Sequence, residues 1–207
     1  MPRGKFITLE GGEGVGKTTN LIFIENYLKL HDIPVIITRE PGGTALAEKL
    51  RQLLLDKNSE IISENAELLL VFAARAQHIK HVIEPALTTG VWVLCDRFTD
   101  ATFAYQGGGR NMKNSTIEWL ENLVQGSLRP DLTLLLDAPV EIGLERAKSR
   151  GILDRFESEK IQFFEQVRRA YLLQAELHPS RIKVIKTNQP LIDVENELIN
   201  VIGNFIR

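Results

Sequence analysis

The chain has 207 residues, of which 43% are hydrophobic and 25% charged, and its formal net charge is −2. This length and composition are typical of one globular domain, 1–207, and the slight acidity argues against a protein that coats DNA or RNA. We find no run apolar enough to span a membrane, and we expect no signal peptide, because a first strand follows the amino end directly. Since the lone Cys95 cannot form an internal disulfide, we expect a cytoplasmic protein with no membrane or nucleic-acid partner.

Short apolar runs alternate with longer segments of helical spacing. The short runs are rich in β-branched residues and predict strands at 5–10, 33–38, 91–95, 131–136 and 182–186. The longer segments predict helices at 17–30, 63–89, 160–178 and 190–206. Ser63 or Asn65 is suited to cap the second helix, and Pro190 opens the last. This alternation predicts a three-layer α/β fold, a five-stranded parallel sheet with helices on both faces.

A complete phosphate loop follows the first predicted strand. Residues 11–18 read Gly-Gly-Glu-Gly-Val-Gly-Lys-Thr, which matches G-x-x-x-x-G-K-[ST]. In such loops backbone N–H groups surround an anion, the lysine reaches the β- and γ-phosphates, and the hydroxyl holds Mg²⁺. The following helix adds the positive end of its dipole. The sequence therefore predicts binding of ATP and Mg²⁺ through Gly11, Gly12, Glu13, Gly14, Val15, Gly16, Lys17, Thr18 and Thr19.

Glu13 is an unusual residue for a phosphate loop, because a carboxylate beside a triphosphate costs Coulomb energy unless it faces away. Two interpretations remain open from spacing alone. Glu13 either accepts a hydrogen bond from a hydroxyl of a second substrate, or is a solvent-facing residue without a role.

Charged residues also follow the next strands, where ligands of parallel sheets bind. Arg39 precedes a Pro-Gly-Gly turn, and this rigid position suits an anion-binding arginine as well as an ordinary surface arginine. Asp96 and Arg97 follow the third strand, where a carboxylate of phosphate-loop proteins supports Mg²⁺. The fourth strand also ends in a carboxylate, Asp137. The two strand-end positions do not by themselves rank the carboxylates, and we choose Asp96 as the metal-site residue because Arg97 is adjacent to it.

Three further segments have both a functional and a purely structural interpretation. Phe72 and Arg75 lie on one face of the second helix, which suits either base recognition or a core phenylalanine beside a surface arginine. Residues 102–110 contain a Tyr-Gln pair and three glycines, as in a small-molecule wall or a flexible loop. Residues 146–155 carry four cations, as in a lid over a transferring phosphoryl group or a solvated helix end.

Taken in order, these motifs resemble the thymidylate kinase family, bacterial type, over nearly the whole chain. The segments that carry the resemblance are 9–19, 38–44, 72–75, 96–98 and 104–110, together with the lid segment. The resemblance implies a phosphate-loop kinase fold and phosphorylation of dTMP to dTDP with ATP. It also implies a homodimer formed through the long apolar helices.

The resemblance assigns the acceptor-binding residues in two groups. On the phosphate and sugar side, Arg39 and Arg97 bind the monophosphate, Glu13 binds the 3′-hydroxyl, and Tyr105 crowds the 2′ position. On the base side the implied residues stack on thymine, donate to its carbonyl or line its edge, and they are Phe72, Arg75, Thr102 and Gln106.

One departure concerns the catalytic arginine. In one branch of the family an arginine follows the phosphate-loop acid, whereas this chain has Gly14 there. The other branch places the arginine in the lid, about 146–159, where this chain has Arg146, Arg150 and Arg155. Arg150 is our first choice, because it precedes the glycine at 151. The predicted catalytic residues are therefore Lys17, Arg150, Arg97 and Glu13.

Other functions are weaker candidates. Another deoxynucleoside or nucleoside monophosphate kinase of this fold would differ only in the acceptor pocket. A guanine-reading switch carries Asn-Lys-x-Asp after a late strand, but residues 187–190 read Thr-Asn-Gln-Pro. A nucleic-acid-dependent ATPase is disfavoured by the net charge.

Overall fold

The computed structural model describes residues 2–57, 60–149 and 154–206, and its core is one five-stranded parallel sheet. The strands are β1 (Phe6–Glu10), β2 (Val35–Arg39), β3 (Trp92–Asp96), β4 (Leu132–Asp137) and β5 (Ile182–Lys186). They are arranged in the order β2-β3-β1-β4-β5. Both the predicted α/β fold class and the five predicted strands are confirmed.

Helices connect the strands. They are α1 (Lys17–Leu30), α2 (Ala45–Leu55), α3 (Glu64–His78), α4 (Glu84–Thr88), α5 (Thr99–Thr102), α6 (Asn114–Gln125), α7 (Val140–Lys148), α8 (Ile161–Leu177) and α9 (Leu191–Ile206). The predicted helix 63–89 is one helical run, in which a π-helical segment, Ile79–Ile83, joins α3 to α4. Ser63 caps it, since its Oγ accepts from the Ala66 N–H at 3.4 Å. Helices α2, α5, α6 and α7 were not predicted.

Helices cover both faces of the sheet. Successive strand residues point to opposite faces, so Ile7 and Leu9 of β1 pack with α1 and α9. Phe6 of the same strand packs with the α3–α4 run on the other face. This double burial explains why the strands are near-continuous apolar runs. None of the described helices combines the length and apolarity that crossing a bilayer requires.

The strand order places the functional residues at one edge of the sheet. From β1 the chain crosses to the edge strand β2, returns through β3, and then continues on the far side of β1. Ligands of doubly wound sheets bind where the order reverses in this way. The register sets Arg39 opposite Asp96, and Asp96 opposite Leu9. The loop after β1 therefore lies beside both residues.

The glycine-rich segment is helical, so its interpretation as a flexible loop is wrong. A second π-helical segment, Phe103–Gly109, continues α5 and packs against α8. A Cβ added at Gly108 would lie 2.6 Å from the Cβ of Ala170, and one at Gly109 would overlap the Phe163 ring. The glycines therefore permit close approach to α8.

Candidate nucleotide and acceptor site

The phosphate loop joins β1 to α1. Gly16 has a left-handed conformation (φ 91°) and precedes Lys17, the first residue of α1. Lys17 Nζ donates to the carbonyls of Gly11 and Gly12 at 3.2 and 2.6 Å. Burial, and then the charge of Arg97, lower the pKa of Lys17 to about 8. The protein therefore destabilises the ammonium form of Lys17, which lies at the positive end of the α1 dipole, and an anion bound to the loop would stabilise it.

The phosphate loop packs tightly on α7 at Gly14. The φ of Gly14 is 66°, and a Cβ there would overlap the carbonyl oxygen of Gly143. A side chain at this position therefore requires the loop or α7 to move. This contact gives a physical reason why the chain lacks an arginine directly after Glu13.

Arg97 and Glu13 meet at the centre of the site. Arg97 Nη2 donates to Glu13 Oε1 at 2.7 Å, and the Tyr105 hydroxyl donates to the same oxygen at 2.6 Å. Arg97 Nη1 donates to the Gly11 carbonyl at 2.8 Å and to the Tyr171 hydroxyl at 3.1 Å. Arg97 has a left-handed backbone (φ 67°), a conformation that costs about 1–2 kcal/mol. Its side-chain contacts fix the guanidinium in one place.

Two other arginines lie at the same end of the cleft. Arg39 ends β2, is about half exposed, and donates to Glu48 Oε2 of α2 at 2.9 Å. Arg51, one turn further along α2, donates to the Pro41 carbonyl at 3.0 Å. Arg51 was missed from the sequence, because α2 itself was not predicted.

The structure distinguishes the two strand-end carboxylates. Asp137 forms a bidentate ion pair with Arg168, at 2.7 and 2.9 Å. Asp96 lines the phosphate-loop cavity with Thr18, and its buried Oδ1 has no hydrogen-bond partner among the described residues. A buried carboxylate oxygen without a partner is costly unless a ligand satisfies it. Asp96 and the Thr18 hydroxyl are the hard oxygen ligands that Mg²⁺ prefers, so these residues fit the metal.

Two cavities meet at this edge of the sheet. The first follows the phosphate loop and contains about 750 Å³ of empty space open to solvent. The second lies between α2, α3 and the Phe103–Gly109 segment and contains about 680 Å³. They share the lining residues Glu13, Glu40, Arg51, Arg97 and Asp154. The two cavities are therefore parts of one cleft.

The second cavity, which we call the acceptor cavity, has apolar walls and a few polar groups. Its apolar side chains include Leu54, Val71, Phe98 and Phe156, and its polar ones include Arg75, Thr102, Tyr105 and Gln106. Such walls, with few polar groups, are typical of small-molecule sites.

Arg75 is held rigidly at the base of this cavity. It is 1% exposed, and its Nε donates to Glu40 Oε2 at 2.7 Å. Its Nη2 donates to the Phe98 carbonyl at 3.1 Å and to Thr102 Oγ1 at 3.0 Å. Nη1 is buried and has no partner within the described part of the chain. Arg75 therefore keeps one donor for a ligand of the cavity that it lines.

Phe72 lies in the core, as one of its two sequence interpretations predicts, while Arg75 is buried and not a surface residue. The Phe72 ring is 2% exposed and packs with Leu68, Ile117 and Leu120, whereas the neighbouring Val71 lines the acceptor cavity. The Arg75 guanidinium lies 4.8 Å from the ring centroid. Phe72 and Arg75 do share one face of α3, but Phe72 supports Arg75 from the core. Its stacking on a base stays a prediction.

The lid segment contacts the acceptor cavity through Asp154 and Phe156. Arg146 Nη1 donates to the Thr187 carbonyl at 3.2 Å. Arg155 Nη2 donates to Glu67 Oε2 at 2.8 Å. Arg150, the predicted catalytic arginine, lies outside the described residues.

Three features together define a phosphate-loop kinase. They are a phosphate loop after β1, a parallel sheet with helices on both faces, and an adjoining cavity rimmed by arginines. The family model described as thymidylate kinase matches residues 9–198. The chain therefore belongs to the thymidylate kinase family.

Individual relatives agree with this assignment. The chain is 57% identical over 203 residues to a thymidylate kinase of Teredinibacter turnerae, covering 98% of this chain and 99% of the relative. It is 56% identical to one of Pseudomonas fluorescens, covering 98% and 97%. The crystal structure of thymidylate kinase from Ehrlichia chaffeensis has a TM-score of 0.79 at 32% identity, covering 97% of this chain and 100% of that one.

Proposed function

We propose that this chain transfers the γ-phosphoryl group of ATP to dTMP and forms dTDP. The observation that carries the proposal is that Arg97 and Glu13 line both cavities of the cleft. A donor phosphate on the loop and an acceptor phosphate in the second cavity would therefore lie next to each other.

The transfer itself needs alignment and charge neutralisation. ATP places its β- and γ-phosphates along Gly11–Thr19, and Arg39 and Arg97 bind the acceptor's monophosphate. An oxygen of that monophosphate attacks the γ-phosphorus in line, and the bond from phosphorus to the β–γ bridging oxygen breaks as ADP leaves. The attacking oxygen is already anionic, so no general base is needed. Lys17 and Arg150 neutralise the developing charge.

Thr18 and Asp96 would hold Mg²⁺, which supplies additional neutralisation of the phosphate oxygens. The buried Asp96 Oδ1, which has no partner in the described residues, supports this assignment.

The acceptor cavity recognises the nucleoside by its polar groups. Arg75 Nη1 donates to the base carbonyl, with Thr102 and Gln106 beside it. Glu13 accepts from the 3′-hydroxyl, and Tyr105 crowds the 2′ position, which would disfavour ribonucleotides. Phe72 is the proposed residue for stacking on the base.

We also propose a cytoplasmic homodimer, in which each chain is one domain, 1–207, with a lid at about 146–159. Exposed apolar side chains on α2, α3 and α6 support the dimer, and they are Leu46, Leu53, Leu69, Trp119 and Leu123.

A coupled assay of ADP release tests the function, with dTMP, dUMP, dCMP, thymidine or no acceptor. We expect the highest kcat/KM with dTMP, and ADP release near background with thymidine or without acceptor. Preference for thymidine would support a nucleoside kinase instead, and preference for dCMP another monophosphate kinase. Release without acceptor that matches the dTMP rate would indicate an ATPase.

A further inference from the structure

A buried carboxylate joins the base side of the acceptor cavity to the lid. Glu67 of α3 is 1% exposed. Its Oε1 accepts from Gln106 Nε2 at 2.8 Å, and its Oε2 accepts from Arg155 Nη2 at 2.8 Å. Arg110 also donates to both oxygens, from Nε to Oε1 and from Nη2 to Oε2, each at 3.4 Å. Glu67 is not part of the acceptor-cavity lining, whereas Gln106 is.

Two guanidinium groups keep this carboxylate in place. A buried charge is tolerated only when paired and hydrogen-bonded, and Arg155 and Arg110 supply the pairing. Both are themselves anchored, since Arg155 Nε donates to the Leu54 carbonyl at 2.7 Å and Arg110 Nη1 to Glu159 Oε1 at 2.6 Å. If the Glu67 carboxylate moved away, Arg155 would lose the carboxylate that it contacts at 2.8 Å.

The fixed carboxylate determines how Gln106 is oriented. A glutamine amide has a donor end and an acceptor end, whereas a carboxylate only accepts. Nε2 of Gln106 must therefore face Glu67, and Oε1 is the end left for the cavity. Arg75, which lines the same cavity, has in Nη1 a donor without a partner among the described residues. The base side of the cavity thus offers one donor and one acceptor.

This pattern matches one class of pyrimidine. A base with a carbonyl at C4 and an N–H at N3 presents an acceptor to Arg75 and a donor to Gln106. A 4-amino pyrimidine presents the reverse at both positions, which sets donor against donor and acceptor against acceptor. A site whose buried polar groups are left unpaired rejects the wrong ligand strongly.

We propose that Glu67 is a specificity-determining positioning residue. By holding the Gln106 amide with Oε1 toward the acceptor cavity, it selects 4-keto over 4-amino pyrimidine monophosphates. The inference rests on the proposed function, and it adds a residue that does not itself contact the base.

Glu67→Gln tests the inference in the full-length enzyme, because the new amide offers both a donor and an acceptor and lets Gln106 reverse. We expect the ratio of kcat/KM for dTMP to that for dCMP to fall by about tenfold or more, mainly through a higher KM for dTMP. The KM for ATP should change by less than about twofold, because ATP binds in the other cavity. Glu64→Gln is the matched control, since it makes the same change at an exposed position of the same helix.

A double variant shows whether Glu67 acts through Gln106. Gln106→Ala should lower the same ratio, and adding Glu67→Gln to it should lower the ratio no further. A ratio in Glu67→Gln equal to that of the parent enzyme, or a full additional loss in the double variant, would overturn the proposal. Failure of the parent enzyme to use dTMP would overturn the proposed function instead.

If Glu67→Gln does not fold, as judged by its thermal transition, Glu67→Asp tests the inference instead. It keeps the charge for Arg155 and Arg110 but withdraws the carboxylate from Gln106 by one methylene. We expect a smaller fall of the dTMP-to-dCMP ratio, about threefold. An unchanged ratio in this variant contradicts the inference.

Discussion

Arg97 Nη2 lies 2.7 Å from Glu13 Oε1, so the groups assigned to the acceptor's phosphate and to its sugar neutralise each other. In the proposed binding mode, dTMP brings a phosphate to Arg97 and a hydroxyl to Glu13, so both members of this ion pair gain a contact with the acceptor. If the proposed role of Glu13 is correct, the carboxylate in the phosphate loop distinguishes acceptors that carry a 3′-hydroxyl from those that lack it.

Removal of the 3′-hydroxyl should therefore matter only when Glu13 is present. A hydrogen bond to a carboxylate contributes about 1.5–3 kcal/mol, so 3′-deoxythymidine monophosphate should lose about 10- to 100-fold in kcat/KM relative to dTMP. In Glu13→Ala the two acceptors should differ by less than about threefold. An equal penalty in both enzymes would remove Glu13 from this role.

ATP affinity should weaken at alkaline pH because of Lys17. Its pKa is lowered to about 8, so the nucleotide-free protein carries the neutral amine above that pH, whereas binding to phosphate requires the ammonium. The affinity should be independent of this group below pH 8 and fall by up to about tenfold per pH unit above it. Titration calorimetry with an ATP analogue between pH 7 and 9.5 measures the slope. Lys17→Arg, which keeps its charge, should show no such fall.

Gly14→Ala should destabilise the protein. Because of the positive φ and the overlap with Gly143, we expect the free energy of unfolding to fall by about 2 kcal/mol or more. Urea unfolding followed by circular dichroism measures the loss. Gly12→Ala is the control for stability, since a Cβ there meets no atom within 4 Å. Equal stabilities of the two variants would contradict the packing argument.

Arg150→Ala should lower turnover, if the lid supplies the catalytic arginine. Arginines that stabilise a transferring phosphoryl group contribute about 10³–10⁵ in rate, so we expect a deficit of about this size with little change in the KM for ATP. Arg146→Ala is the comparison, because Arg146 is bound to the Thr187 carbonyl. Near-normal turnover of Arg150→Ala would exclude the assignment.

Phe72→Ala should lower stability, because the ring is buried with Leu68, Ile117 and Leu120. Loss of a buried phenylalanine costs about 3–5 kcal/mol of unfolding free energy. Stacking on a base would add about 1–3 kcal/mol to acceptor binding, so the KM for dTMP should also rise if the sequence interpretation is correct. Lower stability with an unchanged KM would show that Phe72 is only a core residue.

Most of the fold can be predicted from local patterns in the sequence. The parallel strands are readable because both faces are buried and the residues are apolar throughout. The phosphate loop, Ser63 and Pro190 mark where helices start. Helix α2 was not predicted, although Thr44 is a suitable residue to cap its start. In the structure Thr44 Oγ1 accepts from the Ala47 N–H at 3.1 Å. Neither interpretation of the preceding Pro-Gly-Gly turn, an anion-binding loop or an ordinary turn with a surface arginine, includes the start of a helix.

The site was less predictable, because its contacts join residues distant in sequence. Spacing showed that Glu13 was unusual, but only tertiary structure pairs it with Arg97, 84 residues away. The choice between Asp96 and Asp137 likewise depends on Arg168. Glu67 had no local signal, since a glutamate in the first turn of a helix is ordinary. Its importance comes from burial between Gln106 and Arg155.

The contact between the glycine segment and α8 has a consequence for redesign of this enzyme. Helix α8 also carries Tyr171, which braces Arg97 at 3.1 Å. A bulkier residue at Gly108 would push α8 outward and so move both the Phe103–Gly109 wall of the acceptor cavity and Arg97. Substitutions that aim to change the accepted base are therefore better placed at Val71 on the α3 wall, where the cavity can be reshaped without moving Arg97.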